Sequence, residues 1–199
     1  MYKTLLATLL FAPLLASAVT PSFDCAKASG AVETLICQDA GLAALDNELA
    51  ALYPKAIAQL SPEQLKTERA MQRGWIKGRN DCWKGQNVRQ CVEDNYQLRI
   101  AELQVTGGQL MVPTPVNYQC GPEVMLSTYF YNDAKVPVAV INLSEGLRPP
   151  QQTLAYLEPS ASGARYEGQN ISLFTKGDDA TLERYGQPTL SCIEKPTKN

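Results

Sequence analysis

Ser162 and Lys176 are the side chains in this sequence whose types and positions could support chemistry. Each stands directly before a glycine, in the dipeptides Ser162-Gly163 and Lys176-Gly177, and such pairs are typical of tight turns. A serine beside a lysine could form the dyad of a Ser–Lys hydrolase. The simpler interpretation is that the serine caps a turn and the lysine is a solvated loop charge.

The chain of 199 residues contains no histidine, which excludes several kinds of active site. Ser-His-Asp and Cys-His catalysis, HExxH zinc peptidases and general acid–base catalysis by histidine all require one. Asp178 and Asp179 are adjacent, so they cannot lie on opposite sides of a scissile bond like the carboxylates of a glycosidase. No two cysteines have C-x-x-C spacing. We therefore expect no metal, no cofactor and no small-molecule substrate.

The charge of the chain gives a weak indication of its partners. A net charge of −2 lacks the basic excess that is typical of nucleic-acid binding, so no nucleic-acid partner is expected. The slight acidic excess favours encounter with a basic partner, although only weakly at physiological salt.

Residues 1–18 have the pattern of a secretory signal peptide. Lys3 supplies the positive charge, Leu5–Leu15 is an apolar run too short to span a bilayer about 30 Å thick, and Ala16-Ser17-Ala18 is a cleavage pattern. We expect cleavage near Ala18 and a periplasmic or secreted protein. The first cysteine, Cys25, follows an acidic residue, which does not fit a lipobox, so no membrane anchor is expected.

Six cysteines follow this signal, and an even number in an oxidising compartment favours three disulfides. Sequence alone does not fix the pairing, because six cysteines can pair in many ways. Proximity along the chain suggests Cys25–Cys37, Cys82–Cys91 and Cys120–Cys192.

The composition changes near residue 106, which divides the chain into two domains. Residues 19–105 are rich in Ala, Leu, Gln, Glu and Arg, whereas residues 117–199 are rich in Tyr, Val, Thr, Ser and Gly. The glycines and prolines of residues 106–116 are typical of a linker. Glycines make the backbone flexible, and prolines favour an extended conformation.

Helices are predicted for the first domain. Apolar residues follow three- and four-residue steps from Leu42 to Leu60, with Asp39 as the N-cap and a kink or break at Pro54. Ser61-Pro62-Glu63-Gln64 is a capping box that begins the next helix. A turn between the third and fourth cysteines leads to a further helix that ends near Val105. The prediction is a three- or four-helix array stapled by disulfides.

Strands are predicted for the second domain from short β-branched and aromatic runs that turn residues separate. The candidate strands are Met125–Tyr131, Val136–Leu143, Thr153–Leu157, Ile171–Thr175, Ala180–Arg184 and Thr189–Ile193. This spacing favours a small antiparallel barrel or sandwich, so the predicted fold class is α+β in two domains.

Five pieces of the second domain have the order and spacing of a known family. They are Tyr118-Gln119-Cys120, Tyr129-x-Tyr131-Asn132-Asp133, residues 160–166, residues 174–182 and Cys192. On these pieces the domain resembles the MliC family, the membrane-bound lysozyme inhibitors of c-type lysozyme, and their soluble periplasmic relatives. The sequence departs from the family at Phe174, where Trp is usual, and in residues 147–152.

The resemblance implies an eight-stranded antiparallel β-barrel that inserts two loops into the cleft of lysozyme. Lysozyme cleaves sugar with two carboxyl groups across an oxocarbenium-like transition state, where a lysine could meet the ionised carboxylate and a serine could hydrogen-bond the other. The resemblance implies that Ser162 and Lys176 are the inhibitory residues. Gly163 and Gly177 would let the backbone enter the groove. Arg165 and Tyr166 would support the loop or touch the partner.

The first domain is similar to a second family, on residues 23–28, Glu33-x-x-Ile36-Cys37, Leu42-x-x-Leu45-Asp46, residues 72–81 and Cys91. This is the LprI-like lysozyme-inhibitor domain, and the resemblance assigns no site residues. Two interpretations of Trp75, Arg73 and Arg79 stay open. They form either a binding face, or a core tryptophan beside solvated arginines.

The favoured hypothesis is a secreted or periplasmic inhibitor of c-type lysozyme that is not an enzyme. One alternative is a cell-envelope binding module that does not inhibit lysozyme. The other is the Ser–Lys hydrolase, which would require a lysine held neutral by burial.

Overall fold

The computed structural model describes residues 19–195, and the expected signal peptide lies outside these residues. Four α-helices are followed by eight strands, which confirms the predicted fold class. No helix within residues 19–195 is long and apolar enough to cross a membrane.

The helices are α1 (Gly30–Gln38), α2 (Ala40–Ile57), α3 (Pro62–Asn80) and α4 (Val88–Thr106). The strands are β1 (Val116–Gly121), β2 (Val124–Tyr131), β3 (Val138–Glu145), β4 (Gln151–Glu158), β5 (Ala164–Gly168), β6 (Ile171–Lys176), β7 (Asp179–Arg184) and β8 (Leu190–Lys195).

The predicted helix starts are confirmed by their capping hydrogen bonds. The Asp39 side chain accepts a hydrogen bond from the Leu42 backbone N–H at the start of α2. At the start of α3, Ser61 and Gln64 form the complete capping box. Of the kink or break predicted at Pro54, the break is wrong, because α2 continues through this residue to Ile57. The kink stays a prediction. Leu60 lies beyond the helix.

The helices enclose a core that two short disulfides border. The fully buried side chains of this core include Ile36, Leu42, Tyr96 and Ile100. Cys25–Cys37 and Cys82–Cys91 are both formed, in agreement with the pairing that proximity suggested. Each disulfide closes a short loop beside this core, so it restricts the unfolded chain more than the folded one.

The eight strands form a closed antiparallel barrel in sequential order, β1 to β8, with β8 paired back to β1. Alternate residues point inward, and buried side chains such as Leu126, Ile141, Leu173 and Leu182 fill the interior. Cys120–Cys192 closes a span of 72 residues and joins the first and last strands. Of the eight strands, β1 and β5 were not among the candidate runs, because each is short and carries glycine or charge.

A third buried cluster joins the two domains. Ala101 of α4 packs with Ala134, Val138 and Val140, which lie on or beside the outer wall of the barrel. Lys135 reinforces this contact, since its Nζ lies 2.7 Å from Glu48 Oε2 on α2. The helical domain and the barrel therefore share a hydrophobic interface.

The linker is more structured than its composition suggests. Gly107 lies against α2, where an added Cβ would meet Ala56 Cβ at 2.5 Å. Glycine at this position therefore permits close packing of the chain on α2.

The connectivity of the barrel places three loops at one end. Because consecutive strands are antiparallel, the connections β2–β3, β4–β5 and β6–β7 all lie at the same end. The β2–β3 connection contacts the helical domain through Lys135. The other two carry Ser162 and Lys176. We call this the loop end of the barrel.

Candidate functional site

Ser162 and Lys176 are brought side by side by the pairing of β5 with β6. Ala164 is the register partner of Thr175, so the residues that follow outward along both strands are Gly163 and Lys176. Both candidate side chains are exposed. Thirteen residues of sequence separate them, and the pairing of β5 with β6 brings them together.

Gly163 is the point where the two loops touch. A Cβ added there would lie 2.4 Å from the Thr175 carbonyl oxygen and 2.9 Å from Phe174 Cζ. Its backbone φ is +69°, in the left-handed region that favours glycine. Two independent constraints, the space and the backbone conformation, therefore require glycine here.

Lys176 begins a tight two-residue hairpin. It pairs with Asp179 across the turn formed by Gly177 and Asp178, and Gly177 has a φ of +58°. Glycine at the first central position is typical of a type II′ turn, whose twist matches that of the flanking strands. The turn is tied to the last strand, because the Glu194 N–H donates to the Asp178 carbonyl oxygen at 2.7 Å. These contacts hold the lysine-bearing loop in one shape.

The Ser162 loop is ordered by a local hydrogen bond. Ser160 Oγ donates to the Ser162 carbonyl oxygen at 2.9 Å. This bond uses the Ser162 carbonyl, and the Ser162 hydroxyl makes no hydrogen bond to any residue within 19–195. Lys176 likewise forms no salt bridge with any residue in the range 19–195, so its ammonium group is available to a partner.

Arg165 lies on the outer wall beneath these loops. Its guanidinium is 5.8 Å from the centre of the Phe174 ring on the neighbouring strand, a cation–π distance. Arg165 Nη1 also lies 3.2 Å from Glu167 Oε1 and 3.3 Å from Ser172 Oγ. The side chain is 43% exposed, so Arg165 can brace the loop and still reach a partner.

Tyr166 lies in the barrel interior and is 4% exposed. Its ring centre is 5.3 Å from that of Phe130, and burial raises the pKa of its hydroxyl. Such burial favours a supporting role for Tyr166 over direct contact with a partner. The alternation along β5 that points Arg165 outward also points Tyr166 inward.

In the helical domain, the structure contradicts the interpretation of Arg79 as solvated. Arg79 is 5% exposed and its guanidinium lies 5.4 Å from the ring centres of both Trp75 and Tyr96. Arg73 is exposed and stands apart from this group. One feature of the sequence indicates this burial: Arg79 follows Trp75 by four residues, which places both on one face of α3. Within residues 19–195 no cluster of potential metal ligands is formed.

Both domains match families of lysozyme inhibitors. Residues 25–103 match the model described as Lysozyme inhibitor LprI, and residues 118–191 match the one described as Membrane-bound lysozyme-inhibitor of c-type lysozyme. The chain thus combines a helical and a β-barrel domain, each of a lysozyme-inhibitor family.

Curated relatives span both domains. Proteins named Lipoprotein LprI, from Mycobacterium bovis and Mycobacterium tuberculosis, are 31% identical to this chain over 169 residues. The match covers 83% of this chain and 80% of each relative. The chain belongs to the LprI family.

Proposed function

We propose that this protein is an extracytoplasmic inhibitor of c-type lysozyme, and that it acts by inserting the Ser162 and Lys176 loops into the active-site cleft. The observation that carries the proposal is the packing of Gly163 on Thr175, which holds the two loops side by side at an exposed end of the barrel. The two inhibitor-family matches support the same function.

The chemistry of the loop end suits the cleft of a glycosidase. The cleft contains two carboxyl groups, of which one is ionised and the other protonated. The Lys176 ammonium can pair with the ionised carboxylate, and the Ser162 hydroxyl can hydrogen-bond the other. Occupying both groups blocks the positions that the sugar substrate needs.

Preorganisation supports tight binding by these loops. The turn at Gly177 is tied to β8, and the Ser162 loop is tied to itself and to β6. Loops that are already ordered lose less conformational entropy on association. More of the interaction energy is then available as affinity.

An envelope location agrees with the family and the disulfides. The relatives are named lipoproteins, and the three disulfides of this chain require an oxidising compartment to form. We therefore propose that the protein acts outside the cytoplasm, in the periplasm or as a secreted protein, after removal of residues 1–18.

The exposure of Lys176 weighs against the Ser–Lys hydrolase. A lysine that acts as a general base must be held neutral, which normally requires burial. Lys176 and Ser162 are both exposed at the tips of turns. Their surroundings suit the binding of a partner, where a charged lysine is an advantage.

A turbidity assay tests the proposal directly. The purified, oxidised protein is titrated against a c-type lysozyme acting on bacterial cell walls, and we expect saturable inhibition. Absence of inhibition at micromolar excess would reject the proposed target. Labelling of Ser162 by a fluorophosphonate probe would instead favour the hydrolase.

A further inference from the structure

A cleft of about 330 Å³ lies between α2 and α3 of the helical domain, far in sequence from the inhibitory loops. Its walls combine aromatic and aliphatic side chains with a few polar groups, which is the usual composition of a small-molecule site. The aromatic side chains are Phe23, Tyr53 and Trp75. The proposed inhibition of lysozyme makes no use of this cleft.

Arg79 lines the cleft, and some of its N–H groups form no hydrogen bond. Its Nη1 donates to Tyr96 Oη at 2.6 Å, while Nε and Nη2 donate to Asn80 Oδ1 at 3.1 Å and 2.8 Å. A guanidinium has five N–H groups, so two of them remain. The nearest carboxylate oxygens, on Asp46 and Glu33, are 4.0 Å and 3.9 Å away, beyond hydrogen-bond distance.

Two further donors line the same cleft. Gln72 Oε1 accepts hydrogen bonds from Arg99, at 3.0 Å and 2.9 Å, which leaves the Gln72 amide N–H groups available. The hydroxyl of Tyr53 makes no hydrogen bond to any residue within 19–195. Most of the polar groups of the cleft that remain available for hydrogen bonding are therefore donors.

The carboxylates that face Arg79 oppose the binding of an anionic ligand. Arg79 is faced by both Asp46 and Glu33, which leaves the group with one surplus negative charge. These carboxylates already accept hydrogen bonds, Asp46 from Ser22 and Tyr96 and Glu33 from Ser29, so they have little capacity for an incoming cation. A neutral ligand that is rich in acceptor oxygens fits this arrangement.

We propose that the cleft binds one unit of an N-acetylated sugar. The hydroxyl and acetamide oxygens accept hydrogen bonds from Arg79, Gln72 and Tyr53. The flat apolar face of the sugar ring and the acetyl methyl group pack on Trp75 and on the exposed Ile76. This site is separate from the loop end of the barrel, so it does not depend on the proposed function.

Isothermal titration of the oxidised full chain with tri-N-acetylchitotriose, without lysozyme, tests the site. Ala50 is exposed on α2 and lines the cleft, so Ala50→Phe fills the space. Ala44 is exposed on the same helix outside the cleft, and Ala44→Phe is the matched control. We expect saturable binding that Ala50→Phe weakens at least about tenfold and Ala44→Phe leaves within about twofold. No binding by the parent, or equal binding by Ala50→Phe, would overturn the proposal.

A second variant and a second sugar sharpen the test. Tyr53→Phe removes one hydroxyl and keeps the ring, and we expect a loss of about two- to tenfold, as for one neutral hydrogen bond. If Ala50→Phe does not fold, the affinity of Tyr53→Phe for the sugar tests the proposal, and unchanged affinity would contradict it. Maltotriose has the hydroxyls without the acetamide, and binding as tight as that of tri-N-acetylchitotriose would refute the N-acetyl assignment.

Discussion

Gly163 lies so close to Thr175 that a single added carbon would be 2.4 Å from the Thr175 carbonyl oxygen. This contact joins the β4–β5 loop to the strand that ends at Lys176. The relative positions of the Ser162 hydroxyl and the Lys176 ammonium therefore depend on a glycine that carries no chemistry of its own.

Replacement of Gly163 should damage both stability and inhibition. Gly163→Ala strains a left-handed backbone and clashes with Thr175, whereas Gly186→Ala has a similar φ of +69° with open space around it and lies at the opposite end of the barrel. We expect about 1–2 kcal/mol of destabilisation for Gly186→Ala and about 1–3 kcal/mol more for Gly163→Ala. Chemical denaturation measures this difference. Equal stability of the two variants would show that the Gly163 contact relaxes without cost.

Removal of the Lys176 charge should weaken binding to lysozyme. Truncation of one member of a buried charge pair costs about 2–5 kcal/mol, or roughly 30- to several-thousand-fold in affinity. Arg148→Ala removes an exposed charge that lies on the β3–β4 connection, away from the loop end, and should leave the inhibition constant unchanged. A loss below about threefold for Lys176→Ala would place this side chain outside the interface.

Removal of the Ser162 hydroxyl should have a smaller effect. Ser162→Ala deletes one hydrogen bond to the partner, which is worth about 0.5–1.5 kcal/mol, or more if the partner group is charged. Ser160→Ala is the control, because it removes the bond to the Ser162 carbonyl and leaves the Ser162 hydroxyl in place. If Ser160→Ala weakens inhibition and Ser162→Ala does not, inhibition depends on the order of the loop and not on the Ser162 hydroxyl.

The interface between the domains should make them unfold together. Ala101 is fully buried against Val138 and Val140, so Ala101→Glu places an unpaired charge in this interface. We expect calorimetry to show one transition for the parent and two for Ala101→Glu. Ala44→Glu, on the exposed face of α2, should keep one transition. Two transitions in the parent would mean that the shared cluster does not couple the domains.

Asp39 should make the helical domain sensitive to acid. The backbone hydrogen bond from Leu42 and then the hydrogen bond from Arg89 hold the pKa of Asp39 below its usual value of 3.8. A carboxylate with a lowered pKa in the folded state stabilises the fold above the unfolded-state pKa, and this contribution is lost as the pH falls from about 4 through the folded-state pKa. Asp39→Ala should cost about 1 kcal/mol at neutral pH, as for other N-caps, and should flatten the acid limb of a stability–pH curve. An unchanged acid limb would assign the effect to other carboxylates.

The local features of this chain follow from short stretches of sequence. The capping box at Ser61 and the N-cap at Asp39 need only neighbouring backbone N–H groups, so the residues themselves fix them. The helix does not break at Pro54, because the surrounding helix packs on both sides of it. Leu49 and Ala56 are both buried, and their packing outweighs the loss of one backbone hydrogen bond.

Only the tertiary structure decided which faces of the strands and helices are buried against other elements. Val138 and Val140 point away from the barrel interior, and a period-two pattern would leave them exposed, yet α4 buries them. Arg79 is a charged residue on α3, and its burial depends on Tyr96, which is contributed by α4. The sequence by itself determined the helical and β-barrel domains, six of the eight strands and the family resemblances, and it predicted the two candidate loop residues. Their adjacency depends on the register of the β5–β6 pair, which brings Gly163 onto Thr175.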